Sequence, residues 1–145
     1  MIGLTFDGTI LTAATLSDGG EIFASAEQIA PDTDYRAWLL AVCAVIEQIR
    51  TPQNAGDALG VALPAIIQDD VVTYSAFSLL ANTSIRRDLQ SALGMPVSVH
   101  NIGEALATQA CRTGAATDAQ LAVAMWIGNS CHGGLALAGQ PVTGA

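Results

Sequence analysis

Short apolar runs separated by turn residues make up the first 28 positions. Residues 1–6 are mostly apolar, Asp7-Gly8 is a strong turn dipeptide, and residues 9–16 resume a run of β-branched and apolar side chains. A second turn at 17–20 leads into a further run at 21–28. Because dipeptides of this kind join antiparallel neighbours, the pattern predicts a three-stranded meander.

After Pro31 the apolar positions recur every three or four residues, which is typical of a helix with one buried face. They are Tyr35, Trp38, Leu39, Val42, Ile46 and Ile49. The polar residues 32–34 before them offer a cap and acids that suit the positive end of a helix. The spacing therefore predicts a helix through residue 49.

Strands and helices alternate in the rest of the chain. Residues 58–64 are nearly all apolar and predict a strand in the middle of a sheet, buried on both faces. The elements predicted after it are a polar connection, a helix at 83–93 ended by Gly94, a strand at 96–100, a helix at 101–112 and strands at 120–127 and 135–138. This order predicts a single α/β domain over residues 1–145. Its sheet is mixed and five-stranded, flanked by helices and closed by a glycine-rich hairpin.

Charge and composition exclude several kinds of partner. The 145 residues carry a net charge of -8, with five arginines and no lysine. A nucleic-acid surface and an anionic membrane face are therefore not expected, and a lysine cannot hold a phosphate here. The apolar runs are too short to cross a bilayer, and the first residues lack the pattern of a secretion signal. A cytoplasmic location is expected.

Cysteine chemistry receives little support from the spacing. Cys43, Cys111 and Cys131 are widely separated, so buried free thiols are expected, and neither a disulfide framework nor a zinc cluster. Cys131 adjoins His132, but neighbouring residues of a strand point to opposite faces. The two side chains are not expected to form a catalytic pair.

The segment 127–139 is a glycine-rich turn between two apolar runs. Gly128, Gly133 and Gly134 can adopt conformations that leave backbone amides uncovered for an anion. The same residues would also serve an ordinary β-hairpin that binds nothing. The segment alone leaves both interpretations open.

Several short motifs, in order and with suitable spacing, resemble the amino-terminal lobe of the ROK family of sugar kinases and sugar-responsive repressors. The matching pieces are Gly3-Leu4-Thr5-Phe6-Asp7-Gly8-Thr9, Val61-Ala62-Leu63-Pro64, Ser75-Ala76-Phe77-Ser78-Leu79, Leu93-Gly94-Met95-Pro96-Val97 followed by Asn101, and the glycine loop at 127–134. The resemblance covers the whole chain. It implies a ribonuclease H-like, actin-like ATPase lobe.

The resemblance also implies a set of ligands and the residues that hold them. ATP, Mg²⁺ and a hexose or N-acetylhexosamine are the implied ligands, with no zinc in this part of the family pattern. Phosphate-binding residues implied in this way are Asp7, Gly8, Thr9, Gly128, Asn129, Ser130, Gly133 and Gly134. Ser78 and Asn101 are the implied sugar-binding residues.

Departures from the family pattern concern the chemistry itself. Ile102 stands where the family has the aspartate that takes a proton from the sugar hydroxyl, so no catalytic residue can be assigned. Thr5 replaces the aspartate of the first hairpin, although Asp7 could point to the same side. Ser78 replaces an asparagine, while Asn129 and Ser130 replace threonine and glycine.

The family's second lobe, its later sugar-binding glutamate and its His/Cys zinc motif have no counterpart in these 145 residues. We therefore expect a sugar-kinase lobe with impaired catalysis, inactive on its own because half of the cleft is missing. The alternative is a non-catalytic sugar-binding or assembly module derived from such a kinase. A second lobe or further copies of the chain are the expected partners. A repressor role is not expected, because no basic helix-turn-helix precedes the first strand.

Overall fold

The computed structural model describes residues 1–51 and 56–142, and it contains ten strands, three α-helices and a short 3₁₀ turn within those ranges. The strands are β1 (Ile2–Phe6), β2 (Ile10–Leu16), β3 (Ile22–Ile29), β4 (Leu59–Leu63), β5 (Ala65–Gln68), β6 (Val71–Ser75), β7 (Val97–Asn101), β8 (Leu121–Ile127), β9 (Cys131–Leu137) and β10 (Gln140–Pro141). The helices are α1 (Tyr35–Ile49), α2 (Ile85–Leu93) and α3 (Ile102–Thr113), and the 3₁₀ turn is Ser78–Leu80. Most of the loop predicted at 51–57 lies outside the described residues.

The largest sheet has five strands in the order β3-β2-β1-β4-β7. The first three strands form an antiparallel meander, while β1 pairs with β4 and β4 with β7 in parallel. This arrangement confirms the predicted mixed five-stranded sheet. It also confirms β4 as an interior strand, although only alternate residues of β4 are fully buried.

The main core lies between this sheet and α1. On the sheet side, alternate residues of β1 (Ile2, Leu4 and Phe6) are almost completely buried. Trp38 and Val42 of α1 are equally buried, and Phe6 meets Trp38 edge to face at 5.7 Å. The Asp34 side chain accepts a hydrogen bond from the Ala37 amide at 2.9 Å, which confirms the predicted cap.

The prediction of a polar connection between β4 and α2 is wrong, because a two-stranded hairpin occupies most of that segment. Strands β5 and β6 pair in an antiparallel sheet of their own. Asp69 and Asp70 form its turn, with φ angles of 48° and 66°. Aspartate tolerates this left-handed region better than most residues, so the turn forms without glycine.

A separate three-stranded sheet, β10-β9-β8, ends the described chain. It contains the predicted closing hairpin, but β9 begins at Cys131, earlier than expected. Ile127 pairs with Cys131, so the turn is only Gly128 to Ser130. Gly133 and Gly134 therefore lie within a strand and not in the glycine turn.

The three cysteines are free, as expected, but they are not all buried. Cys111 is buried, Cys43 is half-buried and Cys131 is exposed. The expectation is wrong for Cys131 because residues of β9 alternate between an exposed and a buried face. The same alternation buries His132 and separates it from Cys131. Within the described ranges, none of the helices has the length and apolar character needed to cross a membrane.

Candidate functional site

Two hairpin turns that are far apart in sequence meet at one end of the molecule. The first joins β1 to β2, and the second joins β8 to β9. The side-chain Nδ2 of Asn129 in the second turn lies 3.4 Å from the Asp7 carbonyl oxygen and 3.5 Å from Thr9 Oγ1 of the first. These are long contacts, yet they bring together positions 120 residues apart. The structure thus places six of the eight sequence-predicted phosphate residues side by side.

The first turn is closed by its own aspartate. Asp7 Oδ1 accepts hydrogen bonds from the amides of Thr9 at 2.8 Å and Ile10 at 2.7 Å. Gly8 has a φ of 104°, and a Cβ on it would come within 2.0 Å of the Phe77 ring. Two amides that could have faced an anion are therefore engaged by a carboxylate, in the manner of an Asx turn.

Asn101, predicted to bind sugar, lies where β7 ends and α3 begins. Its Oδ1 accepts from the Gly103 amide at 2.7 Å and so caps α3. Its Nδ2 donates to the Ala65 carbonyl oxygen at 2.8 Å and lies 3.3 Å from Nδ1 of His132. The other ring nitrogen, Nε2, is 2.9 Å from the hydroxyl of Ser130 in the second turn. A continuous chain of polar contacts thus joins Asn101 to that turn.

His132 is the residue of this site that sequence reasoning missed. It is 8% exposed, and burial lowers the pKa of its imidazole below the ordinary value. The Trp126 ring lies beside it, with ring centroids 6.1 Å apart. Residues two apart in a strand lie on the same face, so the sequence would place His132 beside Ser130 only if the start of β9 were known.

Ile102, at the position of the family's base, is 6% exposed and begins α3. It borders an apolar groove of about 580 Å³ between α3 and the five-stranded sheet, which Leu106 and Trp126 also line. Asp7 is the one carboxylate among the described residues that line this groove, and His100 is a second ionisable neighbour. An isoleucine cannot accept a proton, so the position offers no general base.

Ser78, the other predicted sugar ligand, is an exposed residue at the start of the 3₁₀ turn. The residue before it, Phe77, packs against Phe6 with ring centroids 5.3 Å apart and covers Gly8. Ser75 anchors this segment: its hydroxyl accepts from the Phe77 amide and donates to the Pro64 carbonyl oxygen. The segment with Ser78 is therefore attached to the first glycine turn through the Phe77 ring.

Gly134 and Gly103 allow α3 and β9 to approach each other closely. A Cβ on Gly134 would lie 2.1 Å from the carbonyl carbon of Gly103, and one on Gly103 would lie 2.4 Å from that of Gly133. Gly134 therefore has a packing role at this crossing. Gly133 is exposed and borders a second cavity together with Asn101 and Glu104.

A bound Mg²⁺ would find few protein ligands here. Among residues 1–51 and 56–142, no three His, Cys, Asp or Glu side chains gather as a metal site. Mg²⁺ commonly takes one or two carboxylates together with substrate phosphates. Asp7 fits the single-carboxylate version, since its second oxygen can still accept while Oδ1 holds the turn.

The mixed sheet, its flanking helices and the two facing turns define an actin-like ATPase lobe, the class of the solved structures that the chain matches. The chain belongs to the ROK family, whose profile matches residues 1–145. A curated relative, the N-acetyl-D-glucosamine kinase of Salmonella typhimurium, is 28% identical over 116 residues. That match covers 79% of this chain and 38% of the relative.

Solved ROK proteins share the fold over the whole chain. An inorganic polyphosphate/ATP-glucomannokinase from Arthrobacter sp. strain KM superposes with a TM-score of 0.89 at 25% identity, covering 100% of this chain and 61% of that protein. A ROK family glucokinase from Streptomyces griseus, in complex with glucose and AMPPNP, gives 0.88 at 20% identity, covering 100% and 46%. A ROK transcriptional regulator, a homologue of E. coli MLC, gives 0.83 at 20% identity, covering 98% and 37%. The chain thus spans 37% to 61% of the length of these relatives, and the activity of a whole protein is a matter for proposal.

Proposed function

We propose that the chain is the amino-terminal part of a ROK sugar kinase, which binds a hexose or N-acetylhexosamine and ATP but is impaired in phosphoryl transfer. The observation that carries the proposal is the contact network from Asn101 through His132 to Ser130. It connects the expected sugar ligand to the expected phosphate turn within one polar cluster. The names of the relatives, N-acetyl-D-glucosamine kinase and glucokinase among them, support the substrate class.

Impairment follows from the residue at the base position. A positioned general base typically contributes about 10² to 10⁴ in rate. Ile102 supplies none, and it is buried in an apolar groove. ATP with Mg²⁺ would meet the two turns, where Asn129 and Ser130 offer donors and Asp7 offers a carboxylate.

Calorimetric titration tests the binding part of the proposal. We expect N-acetylglucosamine or glucose to bind the chain, and Asn101→Ser to abolish that binding, because serine can still cap α3 but cannot reach the same partners. Ser91→Ala, on the exposed side of α2, is the matched control and should leave binding unchanged. A chain that binds neither sugar would contradict the proposal.

The catalytic part needs the remainder of a ROK kinase supplied as a second polypeptide. With it, Ile102→Asp should raise sugar-dependent ATP hydrolysis, whereas Ile102→Asn, which has a similar shape but no basic carboxylate, should not. Equal rates for the two variants would mean that Ile102 is not the main obstacle and would direct attention to the phosphate turns.

One observation favours the second candidate function, an assembly module. The face of β8 that points away from α3 exposes Val123, Met125 and Ile127 by 64% to 76%. Contiguous exposed apolar side chains commonly mark interaction surfaces. Sedimentation equilibrium should then show self-association that Met125→Glu weakens and that Glu47→Gln, on the exposed face of α1, does not. A monomer at high concentration would exclude further copies of the chain as the partner. The second lobe of the kinase would then be the remaining expected partner.

A further inference from the structure

The orientation of the Asn101 amide is fixed by two backbone groups. The Gly103 N–H can only donate, and it lies 2.7 Å from Oδ1. The Ala65 carbonyl oxygen can only accept, and it lies 2.8 Å from Nδ2. Exchanging the two amide atoms would set N–H against N–H and carbonyl against carbonyl. Nδ2 is therefore the atom that faces His132.

This orientation determines the tautomer of His132. Because Nδ2 of Asn101 carries only hydrogens toward the ring, Nδ1 of His132 must accept, so its single proton lies on Nε2. Nε2–H then donates to the Ser130 hydroxyl oxygen at 2.9 Å. The low exposure of the ring favours this neutral form.

The polarity is opposite to that of a catalytic triad. In a triad the third residue accepts a hydrogen bond from the imidazole Nδ1–H, and the other ring nitrogen is free to take a proton from serine. Here Asn101 donates and Nε2 already carries the proton, so His132 cannot activate Ser130 as a nucleophile. The arrangement orients groups and does not transfer protons.

The donors and acceptors that Asn101 and Ser130 keep free determine which ligand groups each can bind. Both Nδ2 hydrogens of Asn101 are engaged, by Ala65 and His132, and one lone pair of Oδ1 is engaged by Gly103. Asn101 keeps one acceptor site and no donor. Ser130 receives a bond from His132 and keeps its own proton for another acceptor.

We propose that His132 is a positioning residue: it engages the second Nδ2 hydrogen of Asn101 and donates to the Ser130 hydroxyl, so that Asn101 accepts from a sugar hydroxyl and Ser130 donates to a phosphate oxygen. The identity of the two ligands rests on the proposed function. The polarity rests only on the geometry of the chain.

The tautomer can be measured directly on the chain by ¹⁵N chemical shifts of the imidazole nitrogens at neutral pH. His100 is the other histidine, and His100→Gln assigns the signals. We expect an unprotonated Nδ1 and a protonated Nε2 for His132. A protonated Nδ1, or averaging between the two tautomers, would overturn the proposal whatever the chain binds.

Two substitutions separate positioning from simple packing. His132→Asn carries an acceptor near the position of Nδ1, whereas His132→Phe fills the space without one. The Phe variant leaves one Nδ2 hydrogen of Asn101 without its partner. We therefore expect it to bind N-acetylglucosamine or glucose about tenfold more weakly, which is the effect of one hydrogen bond. The Asn variant should stay within about twofold of the wild type. Equal affinity for the folded Phe variant would overturn the proposal, and thermal unfolding shows whether each variant folds.

The two proposals fail in different ways. If the wild-type chain binds no sugar but shows the expected tautomer, the proposed function fails and the fixed polarity holds. If it binds sugar and shows the other tautomer, the polarity fails and the proposed function stands. Ser130→Ala adds an independent arm, since it should weaken the binding of ATP-Mg; undiminished ATP-Mg binding would overturn the donor role of Ser130.

Discussion

The crossing of α3 and β9 allows a sharp test of the packing, because two adjacent glycines there should respond oppositely to the same change. In Gly134→Ala the added Cβ would lie 2.1 Å from the carbonyl carbon of Gly103 and 2.3 Å from the Glu104 amide nitrogen. In Gly133→Ala the nearest atom is the Ala124 carbonyl oxygen at 3.8 Å, an ordinary contact. Neither glycine has a positive φ, so the backbone itself accepts alanine at both positions.

The expected magnitude follows from what must move. The obstructing atoms at Gly134 are backbone atoms of α3, so no side-chain rotation relieves the clash. The helix must shift by roughly 1.5 Å to restore van der Waals contact. Overpacking of this kind costs about 1–3 kcal/mol, and we expect the upper end, about 3 kcal/mol, for Gly134→Ala. Gly133→Ala should be neutral or stabilising by up to about 1 kcal/mol, because alanine restricts the unfolded chain.

Urea unfolding followed by far-ultraviolet circular dichroism measures both free energies. For a chain of this size, a loss of 3 kcal/mol corresponds to a fall of roughly 6–12 °C in Tm, so thermal unfolding gives a second reading. Gly103→Ala should resemble Gly134→Ala, since its Cβ would lie 2.4 Å from the Gly133 carbonyl carbon. Similar stabilities for Gly133→Ala and Gly134→Ala would refute the close approach of α3 and β9.

Three further predictions concern the first turn and the buried imidazole. Gly8→Ala should lower the free energy of unfolding in urea by about 1–3 kcal/mol more than Gly20→Ala, because both glycines have positive φ but only Gly8 faces the Phe77 ring. Equal losses would exclude the clash. Asp7→Ala should cost about 1–2 kcal/mol and speed hydrogen exchange of the two amides that its carboxylate accepts from, and unchanged exchange would count against the closed turn. Burial lowers the pKa of His132 below the ordinary 6.5, so the unfolded chain binds more protons and the free energy of unfolding should fall as pH drops through about 6.5, levelling below the folded-state pKa. The urea concentration at the midpoint of unfolding, measured as a function of pH, should show this dependence in the wild type. The dependence should be absent in His132→Phe.

The sheet could be predicted because its strands and turns have local causes. Alternating apolar residues and glycine or aspartate turns specify the meander, and the apolar run of β4 specifies an interior strand. The β5–β6 hairpin was missed because its turn is Asp69-Asp70, without glycine or proline, and its first residues continue an apolar segment. The start of β9 was misplaced because Gly133 and Gly134 look like turn residues until their packing against α3 is known.

The site was predictable only where a single residue type carries the function. Asp7-Gly8 located the first turn and Gly128 the start of the second, and the position of Asn101 followed from the family pattern. The engagement of Asp7 by its own turn amides could not be predicted, since the sequence equally allows the carboxylate to point outward. The role of His132 depends on strand register and on the orientation of Asn101, neither of which is local information.

Under the proposed function, the hydrogen bonds around Asn101 and Asp7 predict that sugar binding is preserved better than phosphoryl transfer. On the sugar side, Asn101 is oriented by three partners and still keeps an acceptor. On the phosphate side, the first turn has given two amides to the carboxylate of Asp7, and a phosphate that arrives without Mg²⁺ meets a like charge. Even with a general base restored at position 102, the chain would therefore still lack a complete phosphate-binding site. We accordingly expect the two obstacles to be independent, with loss at the first turn limiting nucleotide affinity and Ile102 limiting the chemical step.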